Sequence, residues 1–121
     1  MITLVNGKQQ NMAEMFVPNG SISFQLNTDG RVIGSPFGFV SANLEVVFQF
    51  DENGDLVPPA QIWSNAELNP RTATGIATYY LVTCYDANGA RINKQPMWWQ
   101  FQNAANSTVD ISTMTAYLVN V

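Results

Sequence analysis

Three short phrases in this chain repeat one pattern: Phe24-Gln-Leu-Asn27-Thr-Asp29-Gly30, Phe48-Gln-Phe-Asp51-Glu-Asn53-Gly54 and Thr83-Cys-Tyr-Asp86-Ala-Asn88-Gly89. Each runs from alternating apolar residues into Asn or Asp and closes on Gly. Asn and Asp tolerate the left-handed backbone region, and Gly occupies it without a Cβ clash. Each phrase therefore predicts a strand that turns tightly into the next one. Three such turns in 121 residues point to an all-β domain built largely of hairpins. Turn chemistry of this kind carries no information about catalysis.

The stretches between the turns agree with that fold class. In Ser21–Leu26, Ile22, Phe24 and Leu26 alternate with Ser21, Ser23 and Gln25, the period-two signature of a half-buried strand. Leu44–Phe50 is the strongest strand, with Leu44, Val46, Phe48 and Phe50 on one face and Glu45, Val47 and Gln49 on the other. Ile2–Val5, Thr78–Tyr85 and Met97–Phe101 also read as strands, and Gln61–Ser64 as a short edge strand after Pro58-Pro59. Arg31–Ile33, Asp55–Val57 and Ala90–Ile92 read as returning strands. Gln9–Met15 is preferred as irregular over a short helical turn, and Pro36–Gly38 and Arg71–Ala77 as loops. Asn65–Pro70 is a capped single turn of helix or a tight loop. The end, Ala116–Val119, is a strand or an ordered tail. The expectation is one domain over 1–121, an antiparallel β-sandwich of about seven to nine short strands. Phe24, Leu26, Val46, Phe48, Phe50, Val82 and Trp99 are the expected core.

Composition narrows the function classes. The chain has no histidine and one cysteine, Cys84. That removes Ser-His and Cys-His catalysis, thiolate zinc sites and iron–sulfur clusters. Cys84 lies in an apolar strand, so it is expected to be a buried, inert thiol. Neither a phosphate-binding glycine loop nor a dinucleotide fingerprint is present. Asp51-x-Asn53-x-Asp55 resembles the start of a calcium loop, but Leu56 stands where glycine is needed and Ile62 where the bidentate glutamate is needed. The acids outside the turns, Glu14, Glu45, Glu67 and Asp110, sit in no context that marks a hydrolytic pair; Asp110 reads as a strand cap. The expectation is a non-enzyme with no catalytic residues, no cofactor and no metal.

The net charge is −4, and Lys8, Arg31, Arg71, Arg91 and Lys94 are scattered, so no nucleic-acid footprint is expected. Without a basic leader or a long apolar run, neither a signal peptide nor a membrane helix is expected. The charged fraction, 12%, is half the usual value of about 25%. Amides and hydroxyls replace the charges, a surface suited to repeated packing against neighbours. Trp98 and Trp99 must face opposite sides of a strand. The exposed member, with Trp63 and Tyr79, could stack on a sugar or anchor a protein. Leu118 joins them because the apolar ends, Met1–Val5 and Tyr117–Val121, are expected to add to a sheet, in this domain or on a neighbour.

The ordered set Leu44-Glu-Val-Val-Phe-Gln-Phe-Asp-Glu-Asn-Gly-Asp-Leu-Val57, Gln61-Ile-Trp-Ser-Asn-Ala-Glu-Leu-Asn-Pro70 and Thr78-Tyr-Tyr-Leu-Val-Thr-Cys-Tyr-Asp-Ala-Asn-Gly-Ala-Arg-Ile92 resembles a small β-sandwich domain of bacteriophage structural proteins. The closing Val109–Met114 is similar to the end of that domain. The chain departs from it at Arg71–Ala77 and at Asn93–Met97. The resemblance implies a transthyretin-like or Ig-like architecture and no catalytic residues. It implies a virion component of the tail, of a fibre attachment or of a capsid decoration, made in the host cytoplasm. Its partners would be other virion proteins and copies of itself in a symmetric oligomer, without nucleic acid or membrane. The alternative is a carbohydrate-binding module that uses Trp63, Trp98 and the tyrosines, with a glycan as partner.

Overall fold

A computed structural model describes residues 1–7, 18–35, 38–70, 78–93, 95–112 and 117–119. Expectations for Gln9–Met15, Arg71–Ala77 and the carboxylate of Glu14 fall outside those residues.

The chain is an all-β antiparallel sandwich. Among the described residues it has ten short strands: β1 (Ile2–Val5), β2 (Ser21–Leu26), β3 (Gly30–Val32), β4 (Phe39–Val40), β5 (Glu45–Gln49), β6 (Ala60–Ile62), β7 (Leu68–Pro70), β8 (Tyr80–Tyr85), β9 (Met97–Trp99) and β10 (Thr108–Asp110). They form three sheets, ordered β10-β1-β6, β5-β2-β8-β9 and β4-β3-β7. All strand pairs are antiparallel except β1 with β10, where Leu4 lies opposite Val109.

Two of the three turn phrases behave as read. Gly54 and Gly89 have φ of 83° and 82°, inside the left-handed region. In the first turn, Asp51 N–H donates to Asp55 O, and the Asp51 carboxylate accepts from the N–H groups of Asn53 and Asp55. The second turn repeats this: Asp86 N–H donates to Ala90 O, and the Asp86 carboxylate accepts from Asn88 and Ala90. The Phe50–Leu56 and Tyr85–Arg91 bridges then close both hairpins.

The remaining phrase, Phe24–Gly30, makes no hairpin. β3 leaves β2 altogether and pairs with β4 and β7. Asn27 instead continues the β2–β8 ladder: its N–H donates to Tyr79 O, and its side-chain oxygen accepts from Tyr79 N–H. Asp29 accepts from Ala42 N–H at 2.7 Å. The same residue types thus serve long-range contacts here rather than a tight turn. β4, β7 and β10 carry no strand signal in the sequence. β7 starts immediately after the Asn65–Glu67 single 3-10 turn, the capped turn expected within Asn65–Pro70, and Ser64, at the end of the expected edge strand, caps it reciprocally with Glu67.

The core lies between the sheets. Ile2 and Leu4 of β1, Ile22, Phe24 and Leu26 of β2, and Tyr80, Val82 and Cys84 of β8 are all buried, with Trp99 and Phe101 among them. Phe24 sits in an aromatic cluster, its ring centroid 5.8 Å from Tyr80, 6.0 Å from Trp99, 6.1 Å from Phe48 and 6.3 Å from Phe101. Burying these rings, with Tyr80 and Trp99 edge-on to Phe24, contributes strongly to the stability of a chain of this size. Val46 and Phe48 were expected in the core and are only half-buried. β5 has β2 on one side and no described strand on the other, so its inward side chains are covered on one flank only.

The described residues of both apolar ends pair within the domain. β1 is the middle strand of its sheet. Leu118 bridges to Trp99, with Gln100 N–H donating to Tyr117 O and Val119 N–H to Trp98 O, so residues 117–119 lie along β9.

Candidate interaction surface

Two buried amides brace the sandwich around its outer features, and neither carries a sequence signal beyond being an Asn near a turn. Asn65, in the 3-10 turn, accepts from Phe101 N–H at 2.8 Å and donates to the Thr78 hydroxyl at 3.1 Å. Ser64 adds a hydroxyl bond to Phe101 O. Asn93 accepts from Cys84 N–H at 2.9 Å and donates to Val82 O and Gln95 O. A single side chain therefore stands in for a strand partner along the end of β8. Buried backbone groups need such partners, because stranding one costs about 1–3 kcal/mol.

Of the candidate surface residues, Trp98 lies in β9 and Leu118 bridges to it, while Tyr79 bonds to Asn27 at the end of β2. Trp98 is opposite Leu81 on the outward face of the four-stranded sheet, while its neighbour Trp99 points into the core with no exposure, as the strand alternation requires. Tyr79 precedes β8 and is half-buried, like Trp98; Leu118 is 43% exposed. Trp63 is elsewhere. It follows β6 and lines a cavity of about 440 Å³ whose walls include Phe24, Leu26, Val46, Ile62 and Tyr80. Those are inward-facing residues, so Trp63 and Trp98 sit on opposite sides of the sheet and form no common platform. The Trp63 carbonyl accepts the Tyr80 hydroxyl. Burial, and then the nearby Glu67 carboxylate, push the Tyr80 phenol well above its ordinary range, so it stays a neutral donor.

A second hollow of about 480 Å³ is bounded by Val47, Phe48, Gln49, Val57, Pro58 and Pro59. Gln61 belongs to both. The two hollows follow the gap between β5 and β6, each the outer strand of its sheet. Sequence reading found β5 as a strand and β6 as an edge strand. That β5 is also an edge depends on which strands pair, and no local pattern encodes that.

Chemically, this surface is apolar and hydrogen-bonding rather than ionic. Among the described residues, no group of three or more His, Cys, Asp or Glu side chains could hold a metal ion. The Asp51 carboxylate, part of the calcium-like phrase, is occupied by the turn's own N–H groups. Cys84 is fully buried and burial pushes its thiol up to about 12. Ser112, through its side chain and backbone N–H, holds the Asp110 carboxyl below its ordinary value, with Asn6 adding a bond at 3.0 Å. This fits the strand-capping role read for Asp110. Glu45 accepts the Tyr85 hydroxyl across the sheet at 3.2 Å. Among the described residues, no helix is long and apolar enough to cross a membrane.

No family model matches the chain, and neither a curated protein nor a solved structure shows significant similarity to it.

Proposed function

We propose that this chain is a non-enzymatic structural protein of a bacteriophage virion, acting by packing its sheet edges and apolar gap against other protein subunits. The observation that carries this is the open side of the sandwich. β5 and β6 are outer strands beside two neighbouring hollows, bordered by Leu44 at 54%, Val47 at 48% and Val57 at 63% exposure. Scattered exposed apolar residues need no explanation, but a group of them along unpaired strand edges is a feature of surfaces that meet other proteins. The resemblance of Leu44–Ile92 to phage β-sandwich domains gives that surface its setting. The tail, a fibre attachment and a capsid decoration are the places such a packing module would serve.

The test is mass spectrometry of purified particles, followed by particle reconstruction. Stoichiometric presence with the β5–β6 side covered supports the reading. Absence from the particle, or presence with that side facing solvent, overturns it.

A second reading, a carbohydrate-binding module, rests on Trp63 at the wall of the 440 Å³ cavity beside the polar groups of Gln61 and Ser41. An indole with neighbouring amide and hydroxyl groups can stack on a sugar and orient it. Saturable binding on a glycan array that is lost in Trp63→Ala supports it; no binding removes it.

A further inference from the structure

We infer that β5 is the self-association edge of this protein, pairing antiparallel with β5 of a second copy about a two-fold axis through Val47. The inference rests on the packing reading above and names the partner and register of that surface.

Among the described residues the other edges are short or obstructed, whereas β5 is longer and no described strand pairs with its outer side, where a hollow separates it from Val57–Gln61. β6, β7 and β10 have three residues each and β4 has two, whereas β5 has five. Pro58-Pro59 precedes β6 and Pro70 ends β7, and proline cannot donate to a ladder. Residues 117–119 lie along the outer side of β9. Glu45-Val-Val-Phe-Gln49 contains no proline and no lysine, the residues that commonly block edge pairing.

The backbone phase is set by the inner neighbour. Phe50 N–H donates to Gly20 O at 2.9 Å. Since donors alternate along an antiparallel strand, Phe48 and Val46 also spend their backbone groups on β2, and Gln49, Val47 and Glu45 direct theirs outward. These three residues are symmetric about Val47. Under a two-fold rotation, Val47 meets the partner's Val47, and Glu45 meets the partner's Gln49. All three outward residues then find outward partners at once.

Charge selects the same arrangement. The chain carries −4 overall, and self-association of an acidic protein fails where like charges meet. The only charge on β5 is Glu45. In the proposed register its carboxylate faces a neutral amide that can donate to it. Parallel pairing in register would set it against the partner's Glu45. Exposed Val47 is then covered by its own symmetry mate, and two four-stranded sheets become continuous. An isologous contact of this kind closes as a dimer instead of propagating.

The experiment is sedimentation equilibrium of the full chain over its soluble concentration range, for wild type, Val47→Lys and Ile33→Lys. Val47 and Ile33 are both about half exposed, so both variants should fold, and unchanged melting curves check this. Wild type should dimerise. Val47→Lys should weaken the dimer at least about tenfold by placing two ammonium groups at the axis. Ile33→Lys, on another sheet region, should leave it unchanged. In Val47→Cys, a short bis-maleimide should give a covalent dimer, because Cys84 is buried. A wild-type chain that stays monomeric, or a dimer that Val47→Lys does not weaken, overturns the inference. So does a dimer weakened equally by Ile33→Lys. The two proposals fail separately: a dimer from a chain absent from particles removes only the virion reading, and a monomer present in particles removes only the β5 pairing.

Discussion

Replacing Phe24 and Phe48 separately by alanine tests whether the sandwich is closed on one side and open on the other. Phe24 is 1% exposed and four rings lie with centroids 5.8 to 6.3 Å from it. Truncating a buried Phe costs about 3–5 kcal/mol through lost transfer energy and the cavity left behind. The edge-on contacts place Phe24 at the top of that range. Phe48 has only one flank covered, so roughly half of the cost applies, about 1.5–2.5 kcal/mol. Stability of a domain this size is about 5–15 kcal/mol, so Phe24→Ala should come close to unfolding it while Phe48→Ala remains folded. Urea denaturation read by tryptophan fluorescence measures both, in the Val47→Lys background so that dimerisation does not contribute. The midpoints should fall unequally with similar slopes. If Phe48→Ala costs as much as Phe24→Ala, the inward face of β5 is fully packed and the open-edge argument fails.

Gly89→Val should destabilise by about 1–2 kcal/mol through backbone strain alone, because an added Cβ meets nothing within 4 Å; a neutral result in urea melts would contradict the left-handed turn. Asn65→Ala strands Phe101 N–H and should cost about 2–4 kcal/mol, with amide exchange at Phe101 accelerated as the site-specific readout. Asp110 has a folded pKa below its ordinary 3.8, so its contribution to stability is present above about pH 4 and is lost as pH falls through the folded value. The acid limb of a pH–stability curve should therefore be shallower in Asp110→Asn, by a small amount because the group is exposed. Cys84 should not react with a thiol reagent at pH 8 in the native protein and should react fully in urea; native labelling would contradict its burial.

The strand and turn vocabulary was legible wherever it depended on neighbours in sequence. Alternation placed Ile22, Phe24 and Leu26 inward and separated Trp98 from Trp99, because side chains of a strand must alternate. Asp51–Gly54 and Asp86–Gly89 were legible as turns because the Asp side chain and the Gly dihedral act within five residues. The capped turn within Asn65–Pro70 was legible for the same reason.

Pairing belonged to the tertiary structure. Asn27-Thr-Asp29-Gly30 holds the residue types of the true turns with Asn and Asp exchanged, and β3 joins another sheet while Asn27 and Asp29 find partners at Tyr79 and Ala42. Val46 and Phe48 have the pattern of core residues and are only partly buried, because no described strand lies beyond β5. For the candidate surface, sequence supplied the residues Trp63, Trp98, Tyr79 and Leu118, and folding set Trp63 apart from Trp98 across a sheet. It also made β5 an edge and β1 a central strand. Local chemistry acts through bonds a few residues apart, so it can be read from the chain. Sheet order is decided by which distant surfaces bury most together, and that competition is settled only when the whole chain has folded.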